Sequence, residues 1–161
     1  MSEIRPALDA DYPAIRELLL EAFAAGDSLA PDGSGGDADV RAYWFTPGAR
    51  VFVAVLDGAI AGSYILRANH LGRGNHVANA GYVVAQRLRG RGLAGTMCEH
   101  SLATARAAGF CAMQFNFVVS TNAAAVETWK RHGFAIAGVL PKAYRHKTLG
   151  DVDVYVMHRA L

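Results

Sequence analysis

The residue types best suited to chemistry fall in one continuous stretch, Gly81-Tyr82-Val83-Val84-Ala85-Gln86-Arg87-Leu88-Arg89-Gly90-Arg91-Gly92-Leu93-Ala94-Gly95. It reads as a strand, a turn rich in glycine and arginine, and the start of a helix. A helix N-terminus carries unpaired backbone N–H groups and the positive end of the helix dipole. Gly90 and Gly92 remove the Cβ that would hold a ligand away from the backbone. Arg87, Arg89 and Arg91 add charge. The combination suits a pyrophosphate.

Two common phosphate loops do not fit. A Gly-Lys-Ser/Thr is missing, so this is not a Walker A loop. Gly90-Arg91-Gly92-Leu93-Ala94-Gly95 matches G-x-G-x-x-G letter for letter. However, its strand belongs to hairpins rather than to an opening βαβ unit, and no acidic ribose ligand follows about 20 residues later. Cys98 and Cys111 lack C-x-x-C spacing, and His70, His76, His100, His132, His146 and His158 lack H-x-x-x-H spacing. No metal is expected. The two cysteines read as small buried hydrophobes.

The surrounding pattern must position this turn. Ile4–Ala7 reads as a first strand, and Asp9 or Asp11 as a cap for a helix carrying Ile15, Leu18, Leu19, Ala22 and Phe23 at helical spacing. Gly26 ends that helix. Residues 27–37 form a polar, glycine-rich loop, either ordered beside a site or loose on the surface. Asp37–Phe45 predicts a short helix and Pro47-Gly48 a type II turn. Strands follow at Val51–Leu56 and Ala59–Leu66, joined by the hairpin signal Asp57-Gly58. After a turn-like segment at 70–76, a fourth strand runs Val77–Val84.

Leu93–Ala108 is then a helix with Ala94, Met97, Cys98, Leu102 and Ala105 on one face, stopped at Gly109. Ala112–Val119 is a fifth strand, Asn122–His132 a helix closed by Gly133, and Phe134–Leu140 and Asp151–Met157 the last strands. Lys142-Ala143-Tyr144-Arg145-His146-Lys147 reads as a basic solvated loop. The fold class is α+β, a mixed sheet with helices on its faces.

The chain has 161 residues, 52% hydrophobic and 19% charged, with a formal charge of +2. That predicts one domain spanning 1–161 with its own core and excludes a disordered chain. Charge near balance argues against a nucleic-acid partner, since binding it draws on a basic face. The first residues show no apolar signal core, and no run approaches the roughly 18 apolar residues of a membrane span. A cytoplasmic protein is expected.

Arg89-Gly90-Arg91-Gly92-Leu93-Ala94 resembles R/Q-x-x-G-x-G/A, the acetyl-CoA motif of the GNAT superfamily of N-acetyltransferases. Asn122-Ala123-Ala124-Ala125 through Gly133-Phe134 resembles that family's N-x-x-A…G-F segment, and the element order agrees. The resemblance implies a mostly antiparallel sheet of six to seven strands flanked by about four helices. It implies that strands four and five splay into a groove with the pantetheine arm along Val84. The pyrophosphate would lie on the amides of Arg89, Gly90, Arg91, Gly92, Leu93, Ala94 and Gly95, with Asn122 contacting the coenzyme. It also implies direct attack by the acceptor amine, with neither cysteine as nucleophile, and a homodimer formed through the C-terminal strands.

Two positions depart from that family's pattern. Trp129 stands where many members carry a Tyr that protonates the leaving thiolate, and an indole N–H is no usable acid. Tyr82, Tyr144 and Tyr155 are the candidate replacements. Strand four also lacks a carboxylate base. Its polar residue is Asn79, and strand five carries Asn116; both are candidates for orienting the acceptor. Together with Ala80-Gly81-Tyr82 and Phe115, these two resemble the acetyltransferases that detoxify azetidine-2-carboxylate.

A site without a strong base favours a small amine of low pKa, such as an amino-acid analogue. An α-amine of pKa about 8 is roughly a tenth neutral at pH 7, whereas a lysine-like amine is neutral to about one part in a few thousand. His70 and His76 flank the entry to strand four as candidate acceptor contacts. The competing readings are a protein or peptide N-acetyltransferase and a non-catalytic acyl-CoA sensor.

Overall fold

The computed structural model describes residues 2–161. In chain order the main elements are β1 (Glu3–Pro6), α1 (Tyr12–Ala25), α2 (Asp37–Trp44), β2 (Arg50–Leu56), β3 (Ala59–Ala68), β4 (Val77–Val84), α3 (Leu93–Ala107), β5 (Ala112–Val119), α4 (Ala123–Arg131), β6 (Ala135–His146) and β7 (Gly150–Ala160). The strands form one sheet in the order β1-β2-β3-β4-β5-β7-β6. Every neighbouring pair is antiparallel except β4 and β5.

Local chemistry explains most boundaries. Asp57 and Gly58, at φ 51° and 76°, make the double positive-φ turn that matches strand twist in a two-residue hairpin. Gly48 has φ 80°, and Ala49 N–H reaches the Thr46 carbonyl at 3.0 Å, as the Pro-Gly turn requires. Behind Gly109 and Gly133, Phe110 N–H bonds the Ala105 carbonyl and Phe134 N–H bonds the Trp129 carbonyl, both at 3.1 Å. These are glycine-terminated helix ends in which the next apolar residue folds back. The face of α1 read from spacing is the face that is buried.

Three expectations are corrected. Neither Asp9 nor Asp11 caps α1 through its side chain. The Asp11 carboxylate accepts from Arg5 Nη1 and Nη2, at 2.7 and 3.1 Å, and from Leu8 N–H at 2.7 Å, so it fastens β1 to the start of α1 instead. The guanidinium holds this carboxyl below its usual range.

The basic segment from Lys142 is strand through His146, not loop. Its one aromatic decides this: Tyr144 is 6% exposed and packs with Val119 and Val154 in a small second core. Pro141 is tolerated because β6 is the sheet edge. Finally, β3 continues past Leu66 to Ala68, which brings Arg67 opposite Asn79.

The feature that makes a site is the junction of β4 and β5. The two pair only at Val77–Asn79 against Ala112–Gln114 and then diverge. Ala85 N–H bonds the Ala61 carbonyl of β3 at 2.9 Å. By strand alternation, the main-chain groups of Gly81 and Val83 also face β3, and those of Tyr82 and Val84 face the opening. Those groups are left for a ligand.

Candidate active site

The opening is a cavity of about 760 Å³, within the range that holds a cofactor-sized ligand. It runs from the N-terminus of α3, along β4, to a wall made by α2, β3 and the 27–36 loop. Ser28, Leu29 and Ala30 line it, so the loop is ordered against the site.

At the α3 end, Gly92 is the cap residue at φ 81° and Gly90 has φ 77°. A Cβ on either would project into open space. The N–H groups of residues 90–95 meet no acceptor among the described residues, and no acidic residue lies in the first turn of α3. A run of orphan donors at a positive dipole end, with open space before it, fits phosphate oxygens.

Val84, Arg89, Gly90, Gly92, Leu93, Ala94, Gly95 and Asn122 all line the cavity. Gly95 has a second role: a Cβ there would stand 3.1 Å from His132, so its absence lets α3 and α4 approach. Asn122 Oδ1 caps α4 by accepting from Ala125 N–H at 3.4 Å. Arg89 lies 3.7 Å from Asp27, which ties the 27–36 loop to the phosphate end. Arg91 departs from the expected set. It lines, with Arg87, a separate depression beside Leu56 and Asp57.

The middle of the cavity is aromatic. The Trp129 ring lies 4.8 Å from that of Tyr82 and 5.1 Å from that of Phe115. Trp129 is buried in this packing, and its indole N–H meets no acceptor among the described residues. The Tyr82 hydroxyl points under α3, 2.7 Å from Ser101 Oγ. Burial there pushes it well above the ordinary tyrosine range. That position is unsuited to handing a proton to a group in the cavity. Tyr144 donates to the Leu29 carbonyl at 3.0 Å, and neither it nor Tyr155 lines the cavity. Cys98 is buried on the apolar face of α3, its thiol pushed up to about 12 by burial, and Cys111 is exposed; neither lines the cavity.

The far end is built from side chains. Asn79 and Asn116 both line it, but their amides are already engaged. Asn79 Nδ2 donates to the Gln114 carbonyl at 2.9 Å, and its Oδ1 accepts from Arg67 Nε at 3.3 Å. Asn116 Nδ2 donates to Asn69 Oδ1 at 2.6 Å, and its Oδ1 accepts from Gln114 Nε2 at 2.9 Å.

Arg67 is the residue that the spacing did not reveal. Its signal was the alternation of β3, whose last residues a strand ending at Leu66 leaves out. Tyr43 was missed likewise; it lines the same wall from α2. His70 and His76 are exposed and lie outside the lining. Among the described residues, no cluster of three or more His, Cys, Asp or Glu side chains is arranged to hold a metal. No helix among the described residues is long and apolar enough to cross a membrane.

Comparison with known proteins bears on this geometry. The sequence profile of the acetyltransferase (GNAT) family matches residues 12–134. A solved GCN5-related N-acetyltransferase from Kribbella flavida superposes with a TM-score of 0.93 at 41% identity, covering 99% of this chain and 98% of that one. The L-amino acid N-acetyltransferase AaaT of Escherichia coli is 29% identical over 99% of both chains. The N-acetyltransferase aca1 of Schizosaccharomyces pombe is 31% identical over 61% of this chain, a match that spans 47% of that protein.

Proposed function

The chain belongs to the GNAT family of acetyltransferases, and from that premise we propose that it moves acetyl from acetyl-CoA directly to the amine of a small molecule, an amino acid or amino-acid analogue. The observation that carries this is the continuity of one cavity. Orphan amides at α3, the free main-chain edge of Tyr82 and Val84, and a side-chain-lined far end lie along a single path. The phosphates lie on residues 90–95, pantetheine pairs with the β4 edge like an added strand, and the thioester reaches the divergence of β4 and β5.

The neutral amine attacks the thioester carbonyl. The C–N bond forms, the C–S bond breaks, and CoA leaves as a thiolate of pKa about 8.5, a tolerable leaving group without an acid. Trp129 N–H offers it a hydrogen bond. The proton lost by the amine goes to water, since Glu99 and Glu127, the acidic residues of the lining, sit on α3 and α4. The name of the Escherichia coli relative, an L-amino acid N-acetyltransferase, agrees with a small amine acceptor.

The test is thiol release from acetyl-CoA with free amino acids, polyamines and peptides in parallel. Release with amino acids supports the reading. Release only with polyamines or peptides contradicts the acceptor class. Coenzyme binding with no release for any amine means a sensor.

Two further parts of the proposal are separate. Exposed Ile136, Val139 and Leu140 on the edge strand β6 support a homodimer formed along that edge, which light scattering of the eluted protein checks. Two free cysteines agree with a reducing cytoplasm.

A further inference from the structure

Arg67 is a partly buried cation without a counter-ion. None of the ion pairs among the described residues involves it, although it lines the cavity. A guanidinium has five N–H donors, and the protein occupies two: Nε donates to Asn79 Oδ1 at 3.3 Å, and Nη1 donates to Thr46 Oγ1 at 3.0 Å. Those two bonds fix the plane of the fork and leave Nη2 and the second Nη1 hydrogen unassigned.

Removing charge from water without a partner is costly. Yet the protein braces this charge with two neutral acceptors instead of neutralising it. Tyr43, partly buried on the same wall, has a hydroxyl with no partner among the described residues. Burial pushes that hydroxyl up to about 12, so it remains a donor.

Position on β4 separates this charge from the coenzyme's phosphates. Arg67 stands opposite Asn79. Five residues of strand, about 17 Å, separate Asn79 from Val84, beyond which the phosphate turn begins. An anion at Arg67 is therefore a second anion, held near the thioester.

We propose that Arg67, held by Asn79 and Thr46 and joined by the Tyr43 hydroxyl, binds the carboxylate of the acceptor, which makes the acceptor an α-amino acid. A carboxylate is planar and takes two parallel N–H groups from such a fork. A carboxylate fixed there places the α-amine, one carbon away, toward the thioester. Asn79 and Asn116 then act behind the contact, Asn79 as the brace of Arg67. Diamines and peptides acetylated at lysine side chains lack the anion at that distance.

This rests on the acetyltransferase reading above. The experiment measures kcat/KM for the best of the twenty protein L-amino acids, for its α-amide and for its decarboxylated amine, with the wild type, Arg67→Gln and Arg67→Lys. Acetyl-CoA affinity is measured for each variant as a check on the fold. The wild type is expected to prefer the acid over the amide and the amine by about 100-fold. Arg67→Gln should lose about 100-fold on the acid, change the amide less than about threefold and leave the coenzyme Kd unmoved. Arg67→Lys, which keeps the charge and loses the fork, should fall between.

Parallel loss on acid and amide makes Arg67 a structural residue and overturns the inference while the acetyltransferase reading stands. So does a wild type that prefers the amide. A wild type that turns over other amines and no amino acid overturns the inference and the proposed acceptor class. A wild type that releases no thiol with any amine overturns both readings.

Discussion

The two ends of the cavity are made of different material. At the α3 end, the ligand-facing groups are backbone amides, presented by glycines at positive φ within one six-residue turn. At the far end they are side chains drawn from separate segments: Tyr43 from α2, Arg67 from β3, Asn79 from β4 and Asn116 from β5. Backbone donors recognise a phosphate whatever carries it, so that end suits a donor shared by many enzymes. Side chains from four segments can change one at a time, so that end sets the acceptor. The two should fail independently, and each perturbation below tests that separation.

The largest effect is expected from Gly92→Val. A β-branched side chain at φ 81° is strained, and it intrudes where the phosphates approach. Acetyl-CoA affinity should fall by about 100-fold by calorimetry, equivalent to roughly 2.7 kcal/mol. Unchanged affinity would remove the assignment of the turn.

Asn79→Ala comes next. It should cost about tenfold in kcat/KM for the acceptor, because Arg67 loses one of its two braces, and leave coenzyme affinity alone. A fall in coenzyme affinity of the same size would merge the two ends.

The pH profile is a sharper comparison than either substitution. Among the described residues no carboxylate lines the far end to take the amine's proton, and burial holds Tyr82 well above the ordinary tyrosine range. The rate at subsaturating amine should therefore rise close to tenfold per pH unit from pH 6 until the amine's own pKa. A bend below that value, shared by amines of different pKa, would reveal a protein base.

The smallest effect is expected at the cysteines. Iodoacetamide at pH 8 should label exposed Cys111 and spare Cys98, whose buried thiol is shifted to about 12, with activity kept within twofold. Loss of activity with labelling, or a trapped acetyl-thiol, would contradict direct transfer.

The same contrast explains what could be read from the sequence. Strand and helix positions were legible because their signals are local: the Asp57-Gly58 turn, the Gly109 and Gly133 stops and the apolar face of α1. The phosphate turn was legible because its function lies in consecutive residues. Asn79 and Asn116 were legible as polar interruptions of apolar strands, but their roles were not. Both amides are satisfied by neighbours, and Asn79 points through its oxygen to Arg67. That pairing depends on the register of β3 with β4, which spacing does not carry. Tyr144 shows the same limit from the packing side: a basic stretch becomes strand because one aromatic finds Val119 and Val154, distant in the chain.

The separation of the two ends is tested most directly by a crystal structure with CoA and an N-acetylated amino acid bound together. The account predicts pyrophosphate on the amides of residues 90–95, pantetheine paired with the Val84 edge of β4, and the product carboxylate on Arg67. Phosphates in the Arg87–Arg91 depression, or a product carboxylate turned away from Arg67 toward α3, would contradict it.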